Sequence, residues 1–320
     1  MNAASSVSVD VLSQALKASG DNLRLQILAL LQRDSFAVQE LCQIFEIKQS
    51  GMSHHLKVLL KACLVSTRRE GNTIFYQRSD EACASALDEL RDAIYQVAGT
   101  LELSDAIQAH LGSLHQQRAA ASLAFFKDNA DAFREQQELI AAYEVYGPEV
   151  AKLLNSNIDG AALEVGPGTG DFLPELAKRF GKVFALDSSA QMLAQSETLC
   201  QEQELKNIDF INGDTGFCRT LGANLDCVVI NMVLHHTPSP ASIFADISPA
   251  LKKGATLLVC ELGAHNQEWV REACGDHWFG FASNDLKQWA LAQNLEEGTS
   301  RYFALRNGFQ IQIHQFIKQQ

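Results

Sequence analysis

Three glycines spaced two apart, Gly166, Gly168 and Gly170, follow an apolar run ending at Val165 in the stretch LEVGPGTGDF, residues 163–172. Glycine at such a turn lets the backbone approach a ligand closely. Seventeen residues after Gly170, Asp187 ends a second apolar run in FALDSS, where a carboxylate accepts both hydroxyls of an unphosphorylated ribose. Asp214 ends a third run in INGDT, where its carboxylate or a neighbouring amide meets an adenine edge. Together these residues make the mouth of a nucleotide pocket, and a nicotinamide dinucleotide uses the first two features equally well.

After a fourth apolar run the chain reads NMVLHHTPSP. His235 and His236 are candidates for a general base near a reacting group, or for walls of the pocket. Farther on, EWVREACGDHWFGF carries Trp269, Trp278, Phe279 and Phe281, which are expected to fold over the carboxyl edge of a sheet and to pack there rather than line a cavity.

The elements that must position these residues alternate. Strands are expected at AALEVG, KVFALD, IDFING, LDCVVINM and TLLVCEL, with helices around 171–180, 189–204 and 241–251, which is the pattern of a doubly wound, largely parallel sheet. Asn307-Gly308 between RYFAL and FQIQIHQFI signals a closing β-hairpin.

The first 80 residues read differently. Val9, Leu12 and Leu16 share a helical face, and DNLRLQILALLQR places Leu23, Ile27, Leu30 and Leu31 on another, with Asp21 or Asn22 as N-cap. VQELCQIFEI is a third short helix. In KQSGMSHHLKVLLKA, Met52, Leu56, Leu59 and Leu60 make a buried stripe, and the opposite face presents Gln49, Ser50, Ser53, His54 and Lys57. Helix, turn and polar-faced helix form a helix-turn-helix. LVSTRREGNTIFYQRS turns at Glu70-Gly71-Asn72 into a basic hairpin, a wing whose Arg68 and Arg69, with Arg78 and Lys57, offset phosphate charge. The overall net charge of −12 disfavours nucleic acid, but residues 48–78 hold six basic groups and one acidic one. A basic face on an acidic body suits a DNA contact confined to one end.

Between these regions, Cys83, Leu87, Leu90, Ile94 and Val97 form the stripe of a dimer helix over 81–98, and 101–150 continues as helical connector with Leu123, Phe126, Ala130 and Phe133. The eight cysteines form no C-x-x-C pair and read as reduced core residues. No apolar run approaches the ~20 residues of a membrane span, and MNAASSVSVD lacks the basic and apolar regions of a secretory signal, so a cytoplasmic location is expected.

Residues 12–80 resemble the ArsR family of winged-helix repressors, which implies a homodimer on a pseudo-palindromic double-stranded operator read by Gln49, Ser50, Ser53 and His54. Metal-sensing members carry a cysteine pair in the third helix, where this chain has Ala37 and Gln39. Cys42 alone, the divergent His54 and His55, and His110 and His115 five apart do not replace it, so no metal is expected. Residues 158–317 resemble class I methyltransferases. That likeness implies S-adenosylmethionine or S-adenosylhomocysteine as ligand, with Glu164 and Gly166 at its amino-acid end, Asp187 and Ser188 at the ribose, Asp214 at the adenine, and Asn231 beside them. Asn231-Met232-Val233-Leu234 departs from the Asn/Asp-Pro-Pro-aromatic sequence of enzymes that methylate DNA amino groups, and no Pro-Cys pair offers a cytosine nucleophile.

The expected layout is therefore multidomain: a winged helix-turn-helix over 1–98, a helical connector over 99–150 and a Rossmann-like methyltransferase fold over 151–320. As a whole it resembles the SahR-type regulators, repressors that respond to S-adenosylhomocysteine and govern methionine-cycle genes. An active methyltransferase on a small molecule, with His235 or His236 as its base, is the competing expectation.

Overall fold

The computed structural model describes residues 7–79 and 85–319, and the chain divides into two units, Met1–Gln117 and Arg118–Gln320. Cys83 of the expected dimer-helix stripe lies outside the described residues.

In the first unit, α1 (Val9–Ser19) and α2 (Asn22–Leu30) start on side-chain caps: the Ser8 hydroxyl accepts from the Val11 amide and the Asp21 carboxylate from the Arg24 amide. A two-residue strand β1 (Phe36–Ala37) leads into α3 (Val38–Phe45), then α4 (Gln49–Lys61), β2 (Val65–Glu70) and β3 (Thr73–Arg78). The strands form one antiparallel sheet ordered β1-β3-β2, turning at Gly71 with a φ of +60° that favours glycine. Ile27, Leu28, Leu41, Ile44, Met52, Leu56 and Leu59 fill the core from α2, α3 and α4. Helix α5 (Ser85–Ala98) follows.

Helix α1 packs through its small residues. Ala15 and Ala18 are buried, whereas Val9, Leu12 and Leu16 stay 82%, 42% and 51% exposed. The small side chains let α1 lie close to its neighbours, which turns the larger ones outward.

Helix α6 (Asp105–Ile140) runs 36 residues, and the division between units falls inside it. The stretch 99–150 therefore does not form a body of its own. Ile107 and Leu114 are buried in the first unit's core, while Ala130, Phe133 and Ile140 are buried in the second unit.

The second unit continues with α7 (Tyr143–Ala151), β4 (Asn157–Val165), α8 (Leu173–Ala177), β5 (Phe180–Asp187), α9 (Ala190–Glu202), β6 (Ile208–Asn212) and β7 (Leu225–Asn231). Then come α10 (Pro240–Ile247), β8 (Leu251–Leu262), α11 (Trp269–Ala273), α12 (Ser283–Leu291), β9 (Leu295–Ala304) and β10 (Gln310–Lys318). Its seven strands are ordered β6-β5-β4-β7-β8-β10-β9; the first five are parallel, and β10 inserts antiparallel between β8 and β9. The expected strands and the closing hairpin are all present. Helix α8 is shorter than the expected 171–180 because β5 already begins at Phe180. The chain winds outward from β4 to β6 and restarts at β7 beside β4, so the carboxyl ends of β4 and β7 flank a topological switch point. Ligands of such sheets bind in that crevice.

Candidate functional site

The loop after β4 holds all three glycines at positive φ: Gly166 at +63°, Gly168 at +58° and Gly170 at +88°. They do different work. A Cβ on Gly166 would stand 2.7 Å from Val233 Cγ2, and one on Gly170 would stand 2.8 Å from Ser196 Cβ, so both are packing glycines. A Cβ on Gly168 would meet nothing nearer than Met192 Cε at 4.0 Å, so this turn faces open space, and its amide hydrogen-bonds to the Asp187 carboxylate. The Ser189 amide donates to Asp187 Oδ1 at 2.8 Å. Burial nonetheless raises the Asp187 carboxyl to about 6 against these two amides.

Glu164, the penultimate residue of β4, is 1% exposed, and Asn231 Nδ2 donates to its Oε1 at 3.1 Å from the end of β7. Its Oε2 and Asn231 Oδ1 are buried with no hydrogen-bond partner. Burial pushes the Glu164 carboxyl to about 8 despite the bond from Asn231. Two orphaned acceptors side by side fit a donor group on a ligand, above all a cationic one. Asp214 is exposed, and its Oδ1 accepts from the Gly216 amide at 2.8 Å, capping the turn after β6. Ser188 is also exposed, with its carbonyl accepting from Asn212 Nδ2 at 3.3 Å. Glu164, the glycine loop, Asp187, Asp214 and Asn231 thus all lie along one carboxyl edge of the sheet.

His235 and His236 sit on a short turn past β7, buried, with ring centroids 4.1 Å apart. His235 Nδ1 faces Glu261 Oε1 at 2.5 Å; since a carboxylate accepts, that nitrogen carries the proton. Burial opposes a charge on His235, but Glu261 and Asp276 outweigh it and raise the imidazole to about 9. His236 goes well below the usual histidine range through burial and the charge of His235. Glu261 and Asp276 come from β8 and from the loop after α11, and nothing local in the sequence marks them.

From residue 118 onward α6 covers this edge. Phe125, Phe126 and Phe133 pack with Ala130 and Met192. The His236 ring meets Phe126 at 5.1 Å and Phe133 at 5.8 Å, edge on. Arg134 pairs with Asp171 at 2.9 Å, Gln195 Nε2 donates to the Ala130 carbonyl, and Arg118 donates to the Pro238 carbonyl. The helical spacing of Phe126, Ala130 and Phe133 was visible in the sequence; that it lies over the pocket was not. Trp278, Phe279 and Phe281 pack as expected, each no more than 3% exposed, whereas Trp269 stays 38% exposed.

In the first unit, α4 presents Gln49, Ser50, Ser53, His54 and Lys57 as exposed side chains over the buried Met52, Leu56 and Leu59. His55 is half-buried against Asp21 at 3.6 Å. On the wing, Arg69 is exposed, whereas Arg68 is half-buried and pairs with the buried Glu70 at 2.8 Å. Arg78 is held against the body of the unit rather than offered to a phosphate as expected. Its guanidinium donates to the Leu28 and Tyr95 carbonyls and lies over the Tyr95 ring, and burial lowers it to about 10. Among the described cysteines Cys63 is exposed, while Cys200, Cys218, Cys227, Cys260 and Cys274 are buried as expected. No helix among the described residues is long and apolar enough to cross a membrane.

Comparison with known proteins separates along the same line. Residues 21–67 match the model of bacterial regulatory proteins of the arsR family, and residues 162–254 match that of a methyltransferase domain. The arsenical resistance operon repressor of Bacillus subtilis is 38% identical over 87 residues, 27% of this chain and 83% of the repressor. The demethylmenaquinone methyltransferase of Lactococcus lactis is 30% identical over 102 residues, 31% of this chain and 40% of that enzyme. Among solved structures, a chain from the complex of the Haloferax volcanii Trm112 methyltransferase activator with a methyltransferase shares the fold at a TM-score of 0.51 and 13% identity, covering 61% of this chain and 96% of that one.

Proposed function

From the premise that the chain belongs to the arsR family of bacterial regulatory proteins and joins its DNA-binding unit to a methyltransferase domain, we infer that the second unit is a sensor for S-adenosylhomocysteine or S-adenosylmethionine. Its ligand sets the affinity of the first unit for operator DNA, and genes of the methionine cycle are the expected targets. Asp187 takes the ribose hydroxyls, the bare Cα of Gly168 lets the ligand approach, and Asp214 and Ser188 flank the adenosine. Glu164 and Asn231 turn their unmatched oxygens to the ligand's ammonium.

The observation that carries this reading is α6. One continuous helix contributes Ile107 and Leu114 to the core around the DNA-binding helices, and Phe126, Ala130 and Phe133 to the cover over the adenosyl site. In the first unit it is also held by His115, which faces Asp34 at 3.2 Å. A ligand shifts an equilibrium only through different affinity for its two states, and about 5.5 kcal/mol of preference takes 1:99 to 99:1. A helix packed at both ends is an element whose position both sites can bias.

The same cover favours sensing over catalysis. The place an acceptor would occupy beside the histidines is filled by Phe126 and Phe133, and His235 Nδ1 is committed to Glu261. Dimerisation uses the apolar surface left by α1 and α5, where Val9, Leu12, Leu16 and Val97 are exposed around a groove lined by Ala15, Leu90 and Ile94. The operator then carries two half-sites about 10–10.5 bp apart.

Calorimetry with each sulfur ligand, followed by incubation with methyl-labelled S-adenosylmethionine and a cell extract, tests the reading. Saturable binding without transfer of label is expected. Label appearing in any metabolite would make the chain an enzyme, and no heat with either ligand would remove the sensor.

A further inference from the structure

Beneath Phe126 and Phe133, the turn after β7 and the loop after α11 bring His235, His236 and Asp276 together. All three are buried, and their donor atoms lie within 4.8 Å of one another, the one such cluster among the described residues. We propose that this cluster is a binding site for a single divalent transition-metal ion of the zinc or ferrous class, held by His235 Nε2, a ring nitrogen of His236 and the Asp276 carboxylate. The site stands apart from the adenosyl reading and does not depend on it.

Spacing is the first argument. His236 Nδ1 lies 3.6 Å and His235 Nε2 4.0 Å from Asp276 Oδ1. A tetrahedral ion with bonds of about 2.0–2.1 Å holds its ligand atoms about 3.3–3.4 Å apart, so each histidine needs to approach the carboxylate by only a few tenths of an ångström to close on a metal. The second is the orientation of His235. Glu261 accepts its Nδ1 proton, and Glu261 is itself held by the amides of His235 at 3.3 Å and Leu262 at 2.6 Å. Nε2 faces Asp276 and becomes the lone-pair donor once an incoming ion displaces its proton, the carboxylate–histidine–metal arrangement of built metal sites.

The third argument is independent of both. His236 is 6% exposed, and neither of its ring nitrogens makes a hydrogen bond of full geometry, although the Gly275 backbone lies against the ring. Burying an imidazole with so little polar contact is costly, and a coordinate bond removes that cost. Two imidazoles and one carboxylate suit zinc, ferrous or cobaltous ions, whereas calcium and magnesium take oxygen ligands. The cation would also balance the two carboxylates, Glu261 and Asp276, enclosed beside the histidines.

The test is a titration of the full chain, stripped with a chelator and dialysed, with Co2+ followed by its visible absorption and with Zn2+ in competition. One equivalent of Co2+ per chain is expected, displaced by Zn2+, with a rise in melting temperature. His236→Gln and Asp276→Asn should each weaken binding at least a hundredfold, and Glu261→Gln 10- to 100-fold. A folded wild-type chain that takes up neither ion would overturn the site, as would undiminished binding in both ligand variants. If those variants do not fold, X-ray absorption at the zinc edge of the wild-type chain decides: imidazole scattering is expected, and its absence overturns the assignment.

Discussion

Helix α4, which carries the expected DNA contacts, and the strand-end crevice, the proposed adenosyl site, are built in opposite ways. On α4 the polar groups are exposed and close in sequence, and water satisfies them until a duplex replaces it. In the crevice the key acceptors, Glu164 Oε2 and Asn231 Oδ1, are buried and unmatched. The first surface trades one solvation for another and draws its strength from released counterions. The second already carries the cost of burying a carboxylate, which a ligand relieves. Salt should therefore govern the first surface, and protons the second.

That contrast can be broken most forcefully at Asp187. Asp187→Ala would remove both proposed ribose hydrogen bonds, and at about 1.5–3 kcal/mol for each charge-assisted bond the loss of adenosyl affinity should exceed a hundredfold by calorimetry. Ligand-free DNA affinity should stay within twofold. Loss of both would show that the units are not separable.

Next comes Glu164→Gln. It keeps the shape but not the charge, and should weaken the ligand about 10- to 100-fold. The pH dependence follows from the two raised carboxyls, at about 8 for Glu164 and about 6 for Asp187. The ligand needs both ionised, so affinity falls about tenfold per unit as pH drops below 8, and more steeply once it drops below 6. Calorimetry at pH 7 in buffers of different ionisation heat should register close to one proton released on binding, and Glu164→Gln should abolish that release.

The smallest effect belongs to the other surface. Lys57→Ala should weaken DNA binding a few-fold, uniformly across sequences, and flatten the salt slope by about one. Ligand affinity should not change. Arg78→Ala should lower the melting temperature and leave the salt slope as it is, because its guanidinium is spent on the Leu28 and Tyr95 carbonyls.

The same contrast explains what the sequence made legible. The expected DNA face lies within residues 48–78, so the period of α4 and the wing turn mark it directly. Strands and the glycine loop are also local patterns, as are Asp187 and Asp214 at strand ends. Arg78 misled because a basic residue in a hairpin carries no sign of a carbonyl cage 17 and 50 residues away. Val9, Leu12 and Leu16 share a face as their period indicates, but periodicity marks an apolar face without saying what covers it. Glu261, Asp276 and the phenyl cover were invisible as site residues, since they meet His235 and His236 only through β8, the loop after α11 and α6.

The most direct test of the central claim is the dissociation constant for a selected operator duplex, measured by anisotropy without ligand and at saturating S-adenosylhomocysteine or S-adenosylmethionine, on the wild-type chain and on Asp187→Ala. At least one ligand should move the wild-type constant tenfold or more, and neither should move that of the variant. A wild-type constant that stays put while calorimetry shows the site filled would contradict the account.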